Sequence, residues 1–297
     1  MLQKVVLIVK EKILQEKVIC GENNLLDELR THGVEIAITA DCDAYKKAQA
    51  AQTDSEVVSH GQTEEETLYI TDSENTYHVL RQQGKYVLPY RHEENRDADF
   101  AGALYIIEQI EEVGYATIDM AYRRLAGLPW QILTTKRCVI RETIEEDVDS
   151  FYQIYAEPEI TEYMEDLYAD RDEEIAYIRD YREKVYGFYG YGMWTVLTKE
   201  GTVIGRAGIS WREGFDIPEL GFVIGVPWQR QGYAHEVCSA ILTYASEELG
   251  LTRIQVLVML GNKKSEALCR KQGFHRLHHM KEITIDGEMY EQMVCEL

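Results

Sequence analysis

A strand that runs into a glycine-containing turn and then into a long helix limits the fold of this chain more than any other feature. The apolar run closing at Phe222-Val223-Ile224 is followed by Gly225-Val226-Pro227-Trp228, then by the nitrogen-rich Gln229-Arg230-Gln231. Gly232-Tyr233-Ala234 opens a helical pattern that continues to Glu248 and stops at Gly250. Gly232 lets the backbone come close to a ligand with no Cβ in the way. The first helical residues present unpaired N–H groups at the positive end of the helix dipole, an anion site suited to a pyrophosphate. Many helices begin with Gly for the turn alone, so the rest of the chain has to decide between these readings.

Around this element the order is strand Cys138–Arg141, helix Ile144–Tyr155 and helix Asp172–Tyr186, then strands Met193–Leu197, Val203–Ser210 and Glu219–Ile224. After the long helix come strand Arg253–Met259, helix Lys264–Gln272 and two final strand-like runs. The first half reads differently. Strands at Lys4–Val9, Val34–Thr39, Thr67–Thr71 and Lys85–Pro89 alternate with helices at Asn24–Thr31 and Glu74–Gln83, which predicts a small parallel sheet. Ala101–Val113 has Leu104, Ile107 and Ile110 on one face and is expected to be an amphipathic helix, and Ile118–Ala126 a second one. The polar stretch Gln49–Glu66 reads as a mobile connection, and Gly127-Leu128-Pro129 breaks the pattern. With 297 residues, against about 150 per domain, two domains are expected: an α/β domain over 1–130 and a second α/β domain over 136–297.

A net charge of −21 argues against a nucleic-acid partner, which demands a Lys/Arg surface. It favours the approach of cationic ligands such as primary amines, although acidic charge also simply keeps a protein in solution. Cys20, Cys42, Cys138, Cys238, Cys269 and Cys295 show neither a C-x-x-C pair nor dense spacing, so no metal site or disulfide framework is expected. The run Val5–Val9 is too short for a signal segment, and no stretch reaches the roughly 20 apolar residues of a membrane helix. Together these predict a cytoplasmic protein with no membrane partner.

The run Gln-x-x-Gly-x-Ala at 229–234 resembles the pyrophosphate loop of the GNAT superfamily of N-acetyltransferases. Asn262-Lys263-Lys264-Ser265, followed by Gly273-Phe274, is similar to that superfamily's second signature. The resemblance covers residues 136–297, and Glu219-Leu220-Gly221-Phe222 looks most like the branch that acetylates the N-termini of ribosomal proteins. It implies a mixed, mostly antiparallel sheet with flanking helices, and acetyl-CoA as cosubstrate with no metal. It also implies direct attack on the thioester by a primary amine, either a small molecule or a peptide N-terminus.

The same resemblance gives residues their expected roles. Phe222, Val223 and Ile224 align the pantetheine arm as an added strand. Arg230, Gln231, Gly232, Tyr233 and Ala234 hold the pyrophosphate, and Asn262 bonds the arm or caps its helix, with Ser265 a turn further on. The Ile224 N–H serves the oxyanion, and Glu219 takes the amine proton through water. Many members carry Tyr where this chain has Cys269, which leaves Cys269, Ser265, water or direct thiolate release open as the end of the reaction. Glu159, Glu162, Glu165 and Asp166 lie where the family lines its acceptor cleft and would suit a cationic amine. Tyr186, Phe188, Tyr189 and Tyr191 could shape the same cleft. Gly187-x-x-Gly190-x-Gly192 follows no strand and reads as a turn. A homodimer is left open, and the alternative function is a non-catalytic sensor that binds acyl-CoA.

Residues 1–100 resemble a degenerate haloacid dehalogenase-like domain, with Asp72 at a strand end. Lys10-Glu11-Lys12 stands where such a hydrolase needs its Asp-x-Asp pair, so phosphatase chemistry is excluded.

Overall fold

The computed structural model describes residues 2–19, 24–39, 66–164, 166–276, 283–285 and 287–297. It divides into two compact units, 1–130 and 131–297. The polar stretch expected to be mobile lies, but for Glu66, outside the described residues, as do Cys20, Cys42 and Glu165.

In the first unit the strands β1 (Lys4–Ile8), β2 (Glu35–Thr39), β3 (Thr67–Thr71) and β4 (Tyr86–Pro89) form a parallel sheet in the order β2-β1-β3-β4. Helix α1 (Leu25–Thr31) starts on Asn24, whose side chain accepts from the N–H groups of Leu26 and Asp27 at 3.1 and 3.2 Å. Ser73 caps α2 (Glu74–Gln82) in the same way, and α3 spans Tyr115–Leu125.

Ala101–Val113 does not form the expected helix. Ile107 pairs with Tyr90, its N–H donating to Pro89 O at 2.9 Å and its carbonyl accepting from Arg91 N at 2.8 Å, so the segment prolongs the sheet beyond β4. Only Ile110–Glu112 makes a short 3₁₀ turn. Gly102 sits at φ +79°, which breaks a helical path, and Leu104 stays exposed while Ile107 and Ile110 enter the core. An i, i+3 apolar spacing serves a bridge plus a tight turn as well as a helix.

The second unit is built on one mixed sheet in the order β11-β13-β10-β9-β8-β7-β6-β5, with β12 paired to β13. Its strands are β5 (Gln131–Thr134), β6 (Cys138–Arg141), β7 (Met193–Thr198), β8 (Val203–Ser210), β9 (Glu219–Ile224), β10 (Arg253–Met259), β11 (His275–Arg276), β12 (Ile283–Ile285) and β13 (Glu288–Glu296). Every described pairing is antiparallel except β9–β10. The helices are α4 (Val148–Tyr155), α5 (Pro158–Thr161), α6 (Arg171–Tyr181), α7 (Tyr233–Glu247) and α8 (Lys263–Lys271). The expected helix through Tyr186 is interrupted: after Tyr181 the backbone widens into a π-helical turn, Arg182–Tyr186.

Helix α7 buries Val237, Cys238, Ile241, Leu242 and Ala245 against one face of the sheet, opposite Ile224, Leu220 and Trp194. The other face carries α4 and α5, where Ile154, Tyr155 and Ile160 meet Val223. On that second face the cross-strand pair Gly208–Gly221 has no side chains. A Cβ on Gly208 would lie 2.0 Å from Gly192 O and 2.7 Å from Met193 Cα, both backbone atoms. Gly208→Ala should therefore force β7 and β8 apart and cost about 2–3 kcal/mol, the price of overpacking a rigid site. Thermal unfolding should show a midpoint several degrees lower; an unchanged midpoint would refute this close packing.

Candidate functional site

The cleft begins with one residue. β9 and β10 share a single ladder position, Gln255 with Glu219. There the Gln255 N–H donates to Pro218 O at 2.9 Å and its fully buried amide donates to Ile217 O at 2.8 Å. The Gln292 amide in turn donates to the Gln255 side-chain oxygen, tying in β13. Past this point the two strands part, and a cleft of about 1380 Å³ opens between Leu220–Ile224 and Val256–Met259.

Ladder alternation decides which groups face the gap. Gly225 N–H bonds Ile204 O at 2.8 Å, so Val223 and Gly221 are the positions whose main-chain groups pair with β8, while those of Phe222 and Ile224 point to the gap. Of the three residues expected to align a pantetheine arm, Val223 thus has its main chain engaged by Arg206 and contributes only its side chain to the cleft wall. The Ile224 carbonyl accepts from Gln229 Nε2 at 3.0 Å, and its N–H stays directed at the gap.

The turn that follows is rigidly held. Gln231 Nε2 donates to Pro227 O at 2.7 Å, and Arg230 adopts φ +60° and Gly232 φ +84°. Arg137 donates to Gln231 O at 2.9 Å and lies over the Tyr233 ring at 4.1 Å. Glu236, in the first turn of α7, anchors this arrangement by accepting from Arg137 Nε at 2.7 Å, Arg137 N at 2.8 Å and Thr135 Oγ1 at 2.7 Å. In consequence no main-chain N–H from Arg230 to His235 has an intramolecular acceptor among the described residues, and the first helical bond comes from Glu236 N to Gly232 O. Consecutive unpaired amides at a helix start form an anion nest. Arg137 and Glu236 were missed in the sequence, since they are distant in the chain and look like ordinary surface charges.

Across the gap Asn262 caps α8, its Oδ1 accepting from Ser265 N at 3.1 Å. Asn262, Ser265 and Cys269 all line the cleft. Cys269 is buried, and desolvation pushes its thiol up to about 12. Glu219 lies at the floor, ion-paired with Arg212 at 2.9 Å. Glu159 reaches the cleft rim but pairs with Lys264 of α8 at 2.7 Å, and this hydrogen bond and charge lower its pKa. Glu162 and Asp166 line the cleft and are exposed. The aromatic wall is not the expected one. Tyr155, Tyr163, Tyr168, Tyr177 and Tyr181 line the cleft, whereas Tyr186 is buried with its hydroxyl on Met193 O and Phe188 is 80% exposed. Among the described residues no group of three or more side chains could hold a metal ion. No described helix is long and apolar enough to cross a membrane.

A mixed sheet that splits beside an anion nest is an arrangement able to hold an extended, phosphate-bearing ligand by its backbone. Residues 137–275 match the acetyltransferase (GNAT) domain family, and this part of the chain is a GNAT domain. The uncharacterized N-acetyltransferase YoaA of Bacillus subtilis is 28% identical over 153 residues, 49% of this chain and 83% of that protein. The ribosomal protein uS5 alanine N-acetyltransferase of Escherichia coli is 28% identical over 185 residues, covering 58% of this chain and 93% of that protein. Among solved structures, the ribosomal-protein alpha-N acetyltransferase RimL in complex with coenzyme A aligns at 14% identity and TM-score 0.48, over 57% of this chain and 98% of that one.

Glu236 gives the first test of the loop. Burial raises its proton affinity, but the bonds from Thr135 and Arg137 outweigh that, and its pKa is lowered. A depressed carboxylate contributes stability that is complete above its unfolded pKa of about 4.3 and is lost as pH falls through the folded value. Glu236→Gln should therefore cost about 1 kcal/mol at pH 7, discounted for the half-exposed Arg137. The gap in thermal midpoint between variant and parent should close below about pH 4; a gap independent of pH would remove the anchoring role.

Proposed function

We propose that this protein is an acetyl-CoA-dependent N-acetyltransferase acting on a primary amine by direct attack. The observation that carries the reading is the set of unpaired N–H groups of Arg230 and of Gly232 to His235, on residues that line the same cleft as the free edge of β9. The residues fit the cosubstrate. Arg230, Gln231, Gly232, Tyr233 and Ala234 hold the pyrophosphate through their amides, and Phe222 and Ile224 offer gap-facing main-chain groups to the amide-bearing arm. The Asn262 side chain meets the same arm from the α8 side. The cosubstrate supplies an acetyl group activated as a thioester.

The chain's own groups do the rest. The Ile224 N–H stands ready for the oxygen that gains charge as the amine adds. Exposed Glu162 and Asp166 draw the amine in as its ammonium form, and the Glu219 carboxylate, steadied by Arg212, receives the proton through water. Cys269 is assigned to packing: a thiol that holds its proton to about pH 12 is a weaker acid than the thiol that has to leave. Ser265 or water then meets the departing thiolate. We infer that the protein works in the cytoplasm, where the buried Cys138, Cys238, Cys269 and Cys295 stay as thiols.

Thiol release from acetyl-CoA, followed with a chromogenic disulfide, should require both the protein and an amine. Gly232→Val, which puts a β-branched residue at φ +84° in the nest, should raise the acetyl-CoA KM by about tenfold or more with the fold intact. Tight acetyl-CoA binding with no turnover over a broad amine panel would overturn catalysis and leave a sensor. Cys269→Ala should keep at least about half of kcat, and a loss of two orders of magnitude would restore the thiol to the mechanism.

A further inference from the structure

The half of the cleft beyond β9 contains two residues, Glu174 and the half-buried Arg206, each with a buried polar atom that the reaction outlined above does not use. Glu174, in the first turn of α6, is 2% exposed; its Oε2 accepts from Tyr168 N at 3.2 Å, and its Oε1 has no partner among the described residues. Arg206 of β8 lies with its guanidinium 4.8 Å over the Phe151 ring, and its Nε likewise has no acceptor. Both residues line the cleft.

Asp147, a second buried carboxylate packed near this part of the sheet, is already engaged. It accepts from Arg141 at 2.6 Å, from Thr195 Oγ1 at 2.7 Å and from Ile144 N at 3.1 Å. Among the described residues no carboxylate lies within the 4.0 Å of a direct ion pair with Arg206, although Glu174 and Tyr155 are near enough to reinforce its charge. Buried charges and orphaned polar atoms are costly, and a binding site is where a fold retains them.

Register places Arg206 beside the chemistry. Arg206 is the cross-strand partner of Val223, so their Cβ atoms are about 5 Å apart on the same face of the sheet. The residues flanking Val223 are Phe222 and Ile224, whose N–H groups face the gap.

We propose that Glu174 and Arg206 together determine acceptor specificity, an inference that rests on the acetyltransferase reading above. Glu174 Oε1 receives an N–H of the arriving ammonium, and the Arg206 guanidinium receives an oxygen on the carbon next to the one bearing that amine. The class of acceptor read in this way is an α-aminoacyl unit, in which a carboxylate or a chain carbonyl is attached to the carbon bearing the amine, so that the oxygen is two carbons from the nitrogen. A polyamine matches this pair poorly, because its further ammonium groups find no counterpart at Arg206.

The test compares L-alanine, L-alaninamide, isopropylamine and spermidine as acceptors for the parent protein and for Arg206→Met and Glu174→Gln. The parent should prefer one of the two oxygen-bearing acceptors, and whether alanine or alaninamide is better distinguishes a free carboxylate from a chain carbonyl. Arg206→Met should lower kcat/KM for that acceptor about 30-fold more than for isopropylamine, a ratio in which the amines' own basicities cancel. Glu174→Gln should lower kcat/KM about tenfold for every amine, with the acetyl-CoA KM unchanged. Equal use of all four acceptors by the parent, or an undiminished preference in Arg206→Met, overturns the proposal. If Arg206→Met does not fold, Arg206→Lys decides, since a lysine keeps the charge but loses the planar fork and should lose most of the preference. Intact coenzyme A binding with no turnover on any amine would instead overturn the underlying reading.

Discussion

Everything in the second unit depends on where β9 and β10 stop pairing. Two parallel strands joined along their length would leave no gap-facing amides and no cleft. Two strands not joined at all would leave the sheet in halves. Gln255 resolves this by making the joint short and strong: its main chain holds Pro218, its side chain holds Ile217, and Gln292 ties it to β13. A buried amide is tolerated only when its hydrogen bonds are made, so the polarity of Gln255 fixes the register from which the strands diverge. The divergence exposes the edge of β9, and an exposed strand edge is a template for any extended chain that carries amides.

The anion nest is the second consequence of the same geometry. β9 ends at Ile224, on the edge of the gap, and the chain turns through residues 225–232 into α7, a turn fixed by side chains rather than by the ligand. Gln229 and Gln231 cap carbonyls in and before the turn, and Arg137, just ahead of β6, clasps it, oriented by Glu236. Amides held in place before binding cost no reorganisation when an anion arrives, which is the physical content of preorganisation. The one non-glycine residue with positive φ among the described residues, Arg230, falls inside this turn. Strain of that kind persists where the surroundings over-determine the backbone.

Sequence reading reached the elements that local chemistry specifies. Gly232 and the apolar pattern of α7 announced a strand–turn–helix unit, and Asn262 announced a cap. It went wrong at 101–113, where apolar residues three apart satisfied a helix on paper while Ile107 found a better place beside β4. It also missed every contact that joins distant segments: Arg137 with Glu236, and the approach of Glu174 and Arg206 to a single cleft. A trace of Glu174 was readable, for it shares a helical face with Ile178 and Tyr181, and a lone carboxylate on a buried stripe is unusual. Nothing local marks Arg206, since one arginine in a strand is ordinarily a solvated side chain. Only the register with Val223 and the occupation of Asp147 by other donors make it exceptional.

The overall charge of −21 poses a problem for a site meant to hold an anion, and the structure answers it locally. Over distances beyond the Debye length of about 8 Å at physiological salt, the acidic surface is screened and acts mainly on encounter. Inside the cleft the relevant charges are few and close. Main-chain amides of Arg230 and of Gly232 to His235 act together with the helix dipole, while Lys263 and Lys264 line the α8 side. The Lys264–Glu159 pair joins that cationic side to α5, where the acidic rim of Glu162 and Asp166 begins. The cleft is thus divided by sign, positive where a pyrophosphate would lie and negative where an ammonium would enter. On the negative side Arg212 is paired with Glu219, whereas Arg206 has no carboxylate within ion-pair distance among the described residues. A half-buried cation placed where an ammonium is drawn in would repel the substrate unless part of that substrate compensates it, and an oxygen on the carbon next to the amine-bearing one is the smallest group that does so.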